Sequence, residues 1–365
     1  MVSGGVIDDR RFMRRALAQA WQGWGRTTPN PLVGACVVSP EGVVVGQGAH
    51  EQAGGAHAEI HALDEAGTLA RGATLYCTLE PCAHTGRTGP CALRIIDAGI
   101  TRVVAAMEDP FPLVQGRGFA LLREAGIAVD VGLERDAALR LNGPFLTAVR
   151  EGRPFVILKA AASVDGYIAA RPGERTRLTS APALRHAQFT RAWVDAIAVG
   201  SETLLVDDPL LTARDVYRAR PLVRVVFDRR LRTPPGARLF STLASGPVIV
   251  VTEPTRMALP AVAALQAVGA TVVAQETPGI GAALRVLPRF DVQSVVVEGG
   301  ALLHGALWDA GLVDYVQLYE AASRLGQGGV PLVRSRTLLA DDLFDRRVTA
   351  LGPDTLIEGY VHRPH

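Results

Sequence analysis

Short apolar segments alternate with helical segments along nearly the whole chain, and this alternation is the feature that most restricts its fold. Strand–helix alternation of this kind is typical of layered α/β domains. In the first half, the predicted strands lie at 33–38, 43–46, 73–79, 102–107 and 127–131. The predicted helices lie at 8–24, 57–66, 91–98, 116–125 and 134–149.

The second half repeats the alternation after a boundary near Glu151–Pro154, where a helical segment gives way to a new strand. A length of 365 residues suits two domains better than one. We therefore predict α/β domains over 1–150 and 151–365. The predicted strands of the second lie at 155–160, 195–200, 222–227, 247–252, 271–274, 294–298 and 313–320, followed by a β-hairpin over 348–362.

Composition and charge exclude several classes of protein. With 48% hydrophobic and 20% charged residues, the chain can bury sizeable cores and does not suit a disordered protein. A net charge of +2 gives no bulk field for nucleic acid or an anionic membrane. No apolar stretch reaches the ~18 residues of a membrane helix, and the N-terminal sequence lacks signal-peptide features. We expect a cytoplasmic protein without nucleic-acid or membrane partners.

All four cysteines lie in the first quarter of the chain, and two of them belong to a metal-binding pattern. His57-Ala58-Glu59 is followed by Pro81-Cys82 and then by Cys91. One imidazole and two thiolates suit zinc, and three protein ligands leave a fourth position for water, as in catalytic sites. Glu59 need not bind the metal, and it can carry a proton from the bound water to a leaving amine. The same order of residues characterises zinc deaminases.

Two other kinds of zinc site are compatible with parts of this pattern. His57 and His61 have the i, i+4 spacing of a metalloprotease helix, but that motif has Glu directly after the first His. A structural zinc site would need a fourth protein ligand, which His84 or Cys77 could supply. Cys36 and Cys77 alternate with apolar residues in predicted strands, so we expect both in the core.

Further polar residues surround the pattern. Eight residues separate Cys82 from Cys91, and His84 and Arg87 in this loop suit a ribose or a phosphate. Two prolines flank Asn30, which fixes its amide as a hydrogen-bonding group, although an ordinary Asx-turn would look the same. His50 alone does not distinguish a site from a surface position.

On these motifs the chain resembles a known family. They are T-P-N-P-x-V-G at 28–34, H-A-E at 57–59 and the stretch from Gly72 to Cys91, whose eight-residue gap is the family's own. The family is the bifunctional diaminohydroxyphosphoribosylaminopyrimidine deaminase / 5-amino-6-(5-phosphoribosylamino)uracil reductase of riboflavin biosynthesis. From about residue 8 to the C-terminus the resemblance is continuous.

The resemblance implies an N-terminal cytidine-deaminase-like α/β/α sandwich. It implies one Zn²⁺ per chain at His57, Cys82 and Cys91, with Glu59 as proton shuttle. The substrate would be 2,5-diamino-6-(ribosylamino)-4(3H)-pyrimidinone 5′-phosphate, attacked by zinc hydroxide at the carbon bearing the 2-amino group. Implied contacts to this small phosphorylated pyrimidine are Asn30, His50, His84 and Arg87.

In the second half, the residues alone say less. Glu298-Gly299-Gly300 precedes a helix and could seat a phosphate on helix N–H groups, but a packing turn would look the same. The absence of G-x-G-x-x-G leaves a Rossmann site unsupported.

The resemblance assigns the second half to a dihydrofolate-reductase-like α/β domain that uses NADPH to reduce the ribosyl group to ribityl. It rests on K-x-x-x-S-x-D-G (159–166), the stretch 195–214, V-V-F-D (225–228) and V-V-V-E-G-G (295–300). Implied cofactor contacts are Ala161, Thr203, Asp207, Gly300, Ala301, Leu302, Leu303, His304 and Gly305. Implied substrate contacts are Arg191, Leu211, Arg214 and Glu298.

Three arginines depart from the family pattern. Arg175 and Arg177 stand where the family usually has Ser and Trp, and Arg229 stands where Ser is frequent. They could contact phosphates or stack on a base, or they could weaken the reductase. An active deaminase beside a poorly reducing domain is therefore one alternative. A zinc-structured interaction protein is another, but it would not need Glu59. The family also implies a homo-oligomer.

Overall fold

The structure is a computed structural model that describes residues 8–83, 89–112, 114–174, 176–326, 328–332 and 343–363. The chain forms two compact units, the first ending at Arg150 and the second spanning Glu151–Arg363. Within the described ranges, no helix is long and apolar enough to cross a membrane.

The first unit is built on a mixed five-stranded sheet in the order β2-β1-β3-β4-β5. Strand β1 is antiparallel to both β2 and β3, whereas β3, β4 and β5 run parallel. The strands are β1 Gly34–Val38, β2 Val44–Ala49, β3 Thr74–Cys77, β4 Arg102–Ala105 and β5 Ala128–Val131.

The first unit also contains six α-helices among the described residues. They are α1 Asp9–Ala20, α2 Ala58–Ala66, α3 Cys91–Asp97, α4 Arg117–Glu124, α5 Arg135–Leu141 and α6 Gly143–Glu151. Short 3-10 segments, Trp21–Gly23 and Gly67–Ala70, extend α1 and α2. The single helix predicted over 134–149 is wrong, because Asn142 interrupts it. The Asn142 side chain accepts from the Leu32 N–H (2.8 Å) and donates to the Leu32 carbonyl (2.9 Å).

Helices α1 and α2 cover opposite faces of this sheet. On one face, the Gln47 side chain of β2 accepts hydrogen bonds from Arg15 and Gln19 of α1. On the other, the neighbouring Gly46 approaches α2 so closely that a Cβ there would lie 2.1 Å from the Ala62 carbonyl oxygen. Successive strand residues point to opposite faces, so the unit is an α/β/α sandwich.

Two of the cysteines belong to the core of the sandwich. Cys36 on β1 and Cys77 on β3 are fully buried among apolar side chains. The prediction that both are core residues is confirmed.

The second unit contains a nine-stranded sheet in the order β11-β10-β9-β8-β12-β6-β13-β16-β15. The first seven strands of this order are parallel, and β16 and β15 add an antiparallel hairpin at one edge. The strands are β6 Phe155–Ser163, β7 Tyr167–Ala169, β8 Ala196–Gly200, β9 Val223–Phe227, β10 Val248–Thr252, β11 Ala270–Ala274, β12 Ser294–Val297, β13 Tyr315–Ala321, β14 Val330–Pro331, β15 Phe344–Leu351 and β16 Asp354–Tyr360.

All strands predicted for this unit are present, and the closing hairpin is confirmed with an earlier start, at Phe344. The pattern did not indicate β7 and β14, which pair separately and are very short. The helices are α7 Ala181–Trp193, α8 Ser201–Asp207, α9 Pro260–Ala267, α10 Ile280–Arg285 and α11 Ala301–Asp309, with 3-10 segments at Arg238–Ser245, Pro254–Arg256 and Leu287–Phe290.

Helices cover both faces of the large sheet, as a parallel sheet requires. Alternate residues of the central strand β12 belong to two separate apolar clusters: Val295 and Val297 to one, Val296 to the other. In open parallel sheets covered in this way, ligands bind outside the carboxyl ends of the strands.

Candidate active sites

Three residues from separate segments of the first unit bring their ligand atoms together. His57 is the extended residue before α2, Cys82 lies in the loop after β3, and Cys91 begins α3. Their ligand atoms lie within 4.8 Å of one another. His57 Nδ1 is 3.1 Å from Cys91 Sγ and 3.5 Å from Cys82 Sγ. Across the described part of the chain, this is the one cluster of three or more such residues.

The cluster carries a charge distribution that suits a cation. Hydrogen bonds from Cys91 and His57 hold the pKa of Cys82 well below its usual range. The hydrogen bond to Cys82 raises the pKa of His57 to about 8. The Cys91 thiol donates to Cys82, and this contact and its burial raise the pKa of Cys91. One thiolate is thus stabilised by the protons of its neighbours, which a bound metal would replace.

Glu59 provides the test of whether the residues fit zinc. It lies in the first turn of α2, is 3% exposed, and its Oε2 has no hydrogen-bond partner in the parts of the chain that are described. Burial raises the pKa of Glu59 to about 7. A buried, unpartnered carboxylate oxygen beside three ligands fits a tetrahedral zinc whose fourth position holds water.

A fully protein-ligated structural site fits less well. Cys77 is buried in the core, where its thiol donates to the Val104 carbonyl at 3.8 Å. The other proposed fourth ligand, His84, lies outside the described residues. The proposal that Cys77 completes a structural site is therefore wrong, because its thiol faces the neighbouring strand.

Asn30 and His50 form a hydrogen-bonded chain that ends beside the metal cluster. The Asn30 Nδ2 lies 3.0 Å from His50 Nε2, and His50 Nδ1 lies 3.0 Å from the carbonyl of Ala56, which precedes His57. Burial lowers the pKa of His50, so the neutral ring donates from Nδ1 and accepts from the Asn30 amide. The Asn30 side chain is engaged with His50 rather than with its own turn. Arg87, like His84, lies outside the described residues.

The sequence pattern assigns no role to Glu80, although this residue lies close to Cys82 along the chain. It is 3% exposed and two residues before Cys82. Among the described residues, its carboxylate accepts only backbone N–H groups, from positions 29 to 39 residues further along the chain. The sequence offers one local signal for such a role, an acidic residue directly after the predicted strand 73–79.

In the second unit, two predicted substrate contacts form a largely buried ion pair, with 15% and 13% of the two side chains exposed. Arg191 donates from Nε to Glu298 Oε1 (2.7 Å) and from Nη2 to Oε2 (2.9 Å). Lys159 Nζ lies 3.5 Å from Glu298 Oε2, and Arg191 Nη1 donates to the carbonyl of Thr212 (2.7 Å). Burial alone would raise the pKa of Glu298, but Arg191 and Lys159 hold it well below its usual range.

The other predicted substrate contacts differ in exposure. Leu211, adjacent to Thr212, is 3% exposed and adopts a positive φ of 55°. The Arg214 side chain is exposed, while its backbone N–H donates to Gln188 on α7 (2.8 Å). The structure therefore pairs Arg191 with Glu298, packs Leu211 in an apolar cluster beside the Thr212 carbonyl that Arg191 contacts, and leaves the Arg214 side chain exposed.

The predicted cofactor contacts gather at the carboxyl ends of the adjacent strands β8, β12 and β6. The Gly300 N–H donates to Thr203 Oγ1 (3.0 Å), which joins the turn after β12 to α8. Asp207 ends α8, and Ala161 lies near the end of β6. This joined pair of turns fits a cofactor lying across the sheet edge.

The Gly299–Gly300 turn does not offer its own N–H groups to a phosphate. His304 Nε2 accepts from the Gly299 N–H (3.1 Å), and the Gly300 N–H is held by Thr203. His304 is 1% exposed, and burial lowers its pKa to about 4. Its neutral ring therefore stabilises the turn by accepting the Gly299 N–H. Within the described structure, an anion would meet the N–H groups of Ala301 and Leu302, the first two residues of α11, because the Leu303 N–H already donates to the Gly300 carbonyl (3.1 Å).

Replacing Glu298 with Gln should destabilise the second unit by about 3 kcal/mol, because it leaves the largely buried Arg191 without its charged partner. The matched control is Glu202→Gln. This residue pairs with Arg232 at 3.1 Å on the surface and should cost at most about 1 kcal/mol. Denaturant unfolding of the full chain measures both. Equal losses in the two variants would contradict the burial argument.

Two of the three unusual arginines can be placed. Arg177 is exposed, and Arg229 Nε lies 3.7 Å from Glu253 Oε1 in a surface ion pair. Arg175 lies outside the described residues. Arg229 therefore already has an acidic partner within the protein.

Two known protein families match this chain, one over each of the two units that carry the candidate sites. The cytidine and deoxycytidylate deaminase zinc-binding region matches residues 6–107, and the RibD C-terminal domain matches residues 154–357. The fold and the sites define a bifunctional enzyme: a cytidine-deaminase-like, zinc-binding deaminase followed by a dihydrofolate-reductase-like, NADPH-dependent reductase.

The chain belongs to the RibD family of riboflavin biosynthesis. It is 41% identical to riboflavin biosynthesis protein RibD of Bacillus amyloliquefaciens, over 94% of each chain. It is 38% identical to RibD of Escherichia coli, over 96% of this chain and 99% of the relative.

Solved structures agree with this membership. Acinetobacter baumannii RibD superposes with a TM-score of 0.83 at 34% identity, covering 96% of this chain and 98% of the other. The Thermotoga maritima diaminohydroxyphosphoribosylaminopyrimidine deaminase / 5-amino-6-(5-phosphoribosylamino)uracil reductase gives 0.81 at 34% identity, with 98% and 99% covered. The predicted family and fold class are confirmed, and the alternative of a poorly reducing second domain is not favoured.

Proposed function

We propose that residues 1–150 deaminate 2,5-diamino-6-(ribosylamino)-4(3H)-pyrimidinone 5′-phosphate and that residues 151–365 reduce the ribosyl group of the product to ribityl. The observation that carries the deaminase assignment is the meeting of His57, Cys82 and Cys91 beside the buried, unpartnered carboxylate oxygen of Glu59. Membership of the RibD family supports the two-step reaction and its substrate.

In the deaminase, His57, Cys82 and Cys91 would hold one zinc ion. When bound, zinc acts as a Lewis acid and lowers the pKa of the attacking water. Glu59 accepts the proton from that water and delivers it to the leaving amine, which departs as ammonia. Burial raises the pKa of Glu59, which favours uptake of the proton that the carboxylate passes on.

The substrate would be held by two pairs of residues, Asn30 with His50 and His84 with Arg87. Asn30 and His50 lie in one fixed hydrogen-bonded chain, so their polar groups are oriented before the pyrimidine binds. His84 and Arg87 are proposed from the family resemblance to hold the ribose and the phosphate. An Arg side chain can bind phosphate through two parallel hydrogen bonds.

In the reductase, a bound NADPH would supply the hydride that reduces C1′ of the ribosyl group. Ala161, Thr203, Asp207 and the segment Gly300–Gly305 would hold the cofactor at the sheet edge. Arg191, Leu211, Arg214 and Glu298 would hold the substrate, with Glu298 fixing the plane of the Arg191 guanidinium. From the family resemblance we also propose that the chain acts as a homo-oligomer in the cytoplasm.

Product masses measured without NADPH test the deaminase assignment by itself. The zinc-loaded chain should convert the diaminopyrimidinone substrate into its deaminated form, with the ribosyl group unreduced. Substrate that remains unchanged after prolonged incubation with zinc-loaded protein would refute the assignment.

A further inference from the structure

The buried carboxylate of Glu80 joins the segment that carries Cys82 to a distant helix. Each oxygen accepts two backbone N–H groups, and among the described residues no side chain donates to the carboxylate. The donors are Gly118 (2.9 Å) and Phe119 (3.4 Å) to Oε1, and Gly116 (3.0 Å) and Asp109 (3.2 Å) to Oε2.

Three of these donors form the N-terminus of α4. That helix starts at Arg117, and its N-cap residue, Gly116, has a φ of 73° and no side chain to cap the helix. A carboxylate at a helix N-terminus satisfies free N–H groups and interacts favourably with the helix dipole. Glu80 provides this cap from 36 to 39 residues away, so the contact links two segments instead of closing a local turn.

The next residue reinforces the link. The carbonyl oxygen of Pro81 rests on the first turn of α4, where a Cβ on Gly118 would lie only 1.8 Å from it. The backbone at positions 80 and 81 is thus fixed against α4 through both a side chain and a close backbone contact.

Cys82 is held from its other side by α3. Its Sγ accepts from the Cys91 N–H (3.4 Å), and its carbonyl accepts from the Ala92 N–H (3.1 Å). The ligand is therefore fixed between two helices: α3, which carries the next ligand, and α4, which carries none.

We propose that Glu80 is a positioning residue of the deaminase, which fixes the backbone that presents Cys82 Sγ to the metal. The proposal rests on the zinc role of Cys82 proposed above. Glu80 also fixes the Asp109 N–H, so the segment between β4 and α4 is held by the same carboxylate. Metal sites depend on such supporting contacts, because small displacements of a ligand weaken coordination.

Zinc release from the full-length Glu80→Gln variant tests the proposal. Glutamine keeps the size of the side chain, but its NH₂ group would face N–H donors, so two of them lose their acceptor. The transfer of zinc to a chromogenic chelator should be faster on the order of 10-fold, and deaminase kcat should fall. The reductase kcat serves as an internal control and should remain at the wild-type value.

A matched control separates positioning from simple loss of a helix cap. Asp8 caps α1 in the same unit, with Oδ1 accepting from the Arg11 N–H at 3.3 Å. Asp8→Ala should lower the Tm of the protein without changing the rate of zinc release. The proposal is overturned if Glu80→Gln releases zinc at the wild-type rate, whatever its Tm.

Gly118→Ala provides a second variant if Glu80→Gln does not fold. Its methyl group must displace the Pro81 carbonyl, so zinc release should again be faster on the order of 10-fold. A wild-type release rate in Gly118→Ala would also overturn the proposal. If the wild-type chain itself binds no zinc, the proposed deaminase function fails instead, and the two failures remain distinguishable.

Discussion

Glu59→Gln should retain one zinc per chain and lose about 10²–10⁴-fold in deaminase kcat. The amide has nearly the size of the carboxylate, so the buried position beside the metal cluster is preserved. It cannot accept a proton from the attacking water or pass one to the leaving amine. Zinc content by atomic absorption and kcat from the rate of ammonia release measure both parts of the expectation.

Two comparisons define the outcome for Glu59. Glu65→Gln, on the same helix, changes an exposed residue whose carboxylate accepts the Gln47 N–H (2.9 Å), and it should keep the wild-type deaminase rate. Reduction of an already deaminated substrate should be unaffected in both variants. A wild-type deamination rate in Glu59→Gln would refute the mechanism, and loss of zinc would show that Glu59 holds the metal.

Cys82→Ala and Cys91→Ala should each lower the zinc content from one per chain to nearly none and eliminate deamination. Each change removes one of three protein ligands, and two remaining ligands bind zinc far more weakly than three. Reductase activity should persist, because it belongs to the second unit. Metal analysis after dialysis against a chelator gives the direct measurement.

The chain offers its own matched controls for these variants. Cys36 and Cys77 are equally buried but face the core. Cys36→Ala and Cys77→Ala should therefore retain zinc while losing some stability from the deleted thiol. One zinc per chain in both Cys82→Ala and Cys91→Ala would show that the ligand assignment is wrong.

Local sequence patterns predicted most of the helices and strands, because strand and helix periodicity is read within a few residues. The errors come from distant contacts. The helix predicted over 134–149 is divided at Asn142, whose side chain is engaged with Leu32, 110 residues earlier. The pair of β7 and β14 was not predicted because two or three residues carry no periodicity.

Contacts between residues distant in sequence also limited the prediction of the candidate sites. The motif spacing predicted that His57, Cys82 and Cys91 would meet, and the structure brings them within 4.8 Å. The role of Glu80 depends on N–H groups that carry no sequence signal, since any residue has one. Likewise, Arg191 and Glu298 were each predicted as substrate contacts, but their direct pairing across 107 residues is visible only in the fold.

NADPH oxidation followed at 340 nm tests most directly whether one chain carries both activities. The zinc-loaded protein is given the diaminopyrimidinone substrate and excess NADPH. We expect one NADPH to be consumed for each ammonia released, with the ribityl product formed. Ammonia release with unchanged absorbance, and accumulation of the deaminated ribosyl compound, would contradict the account and leave the chain a deaminase alone.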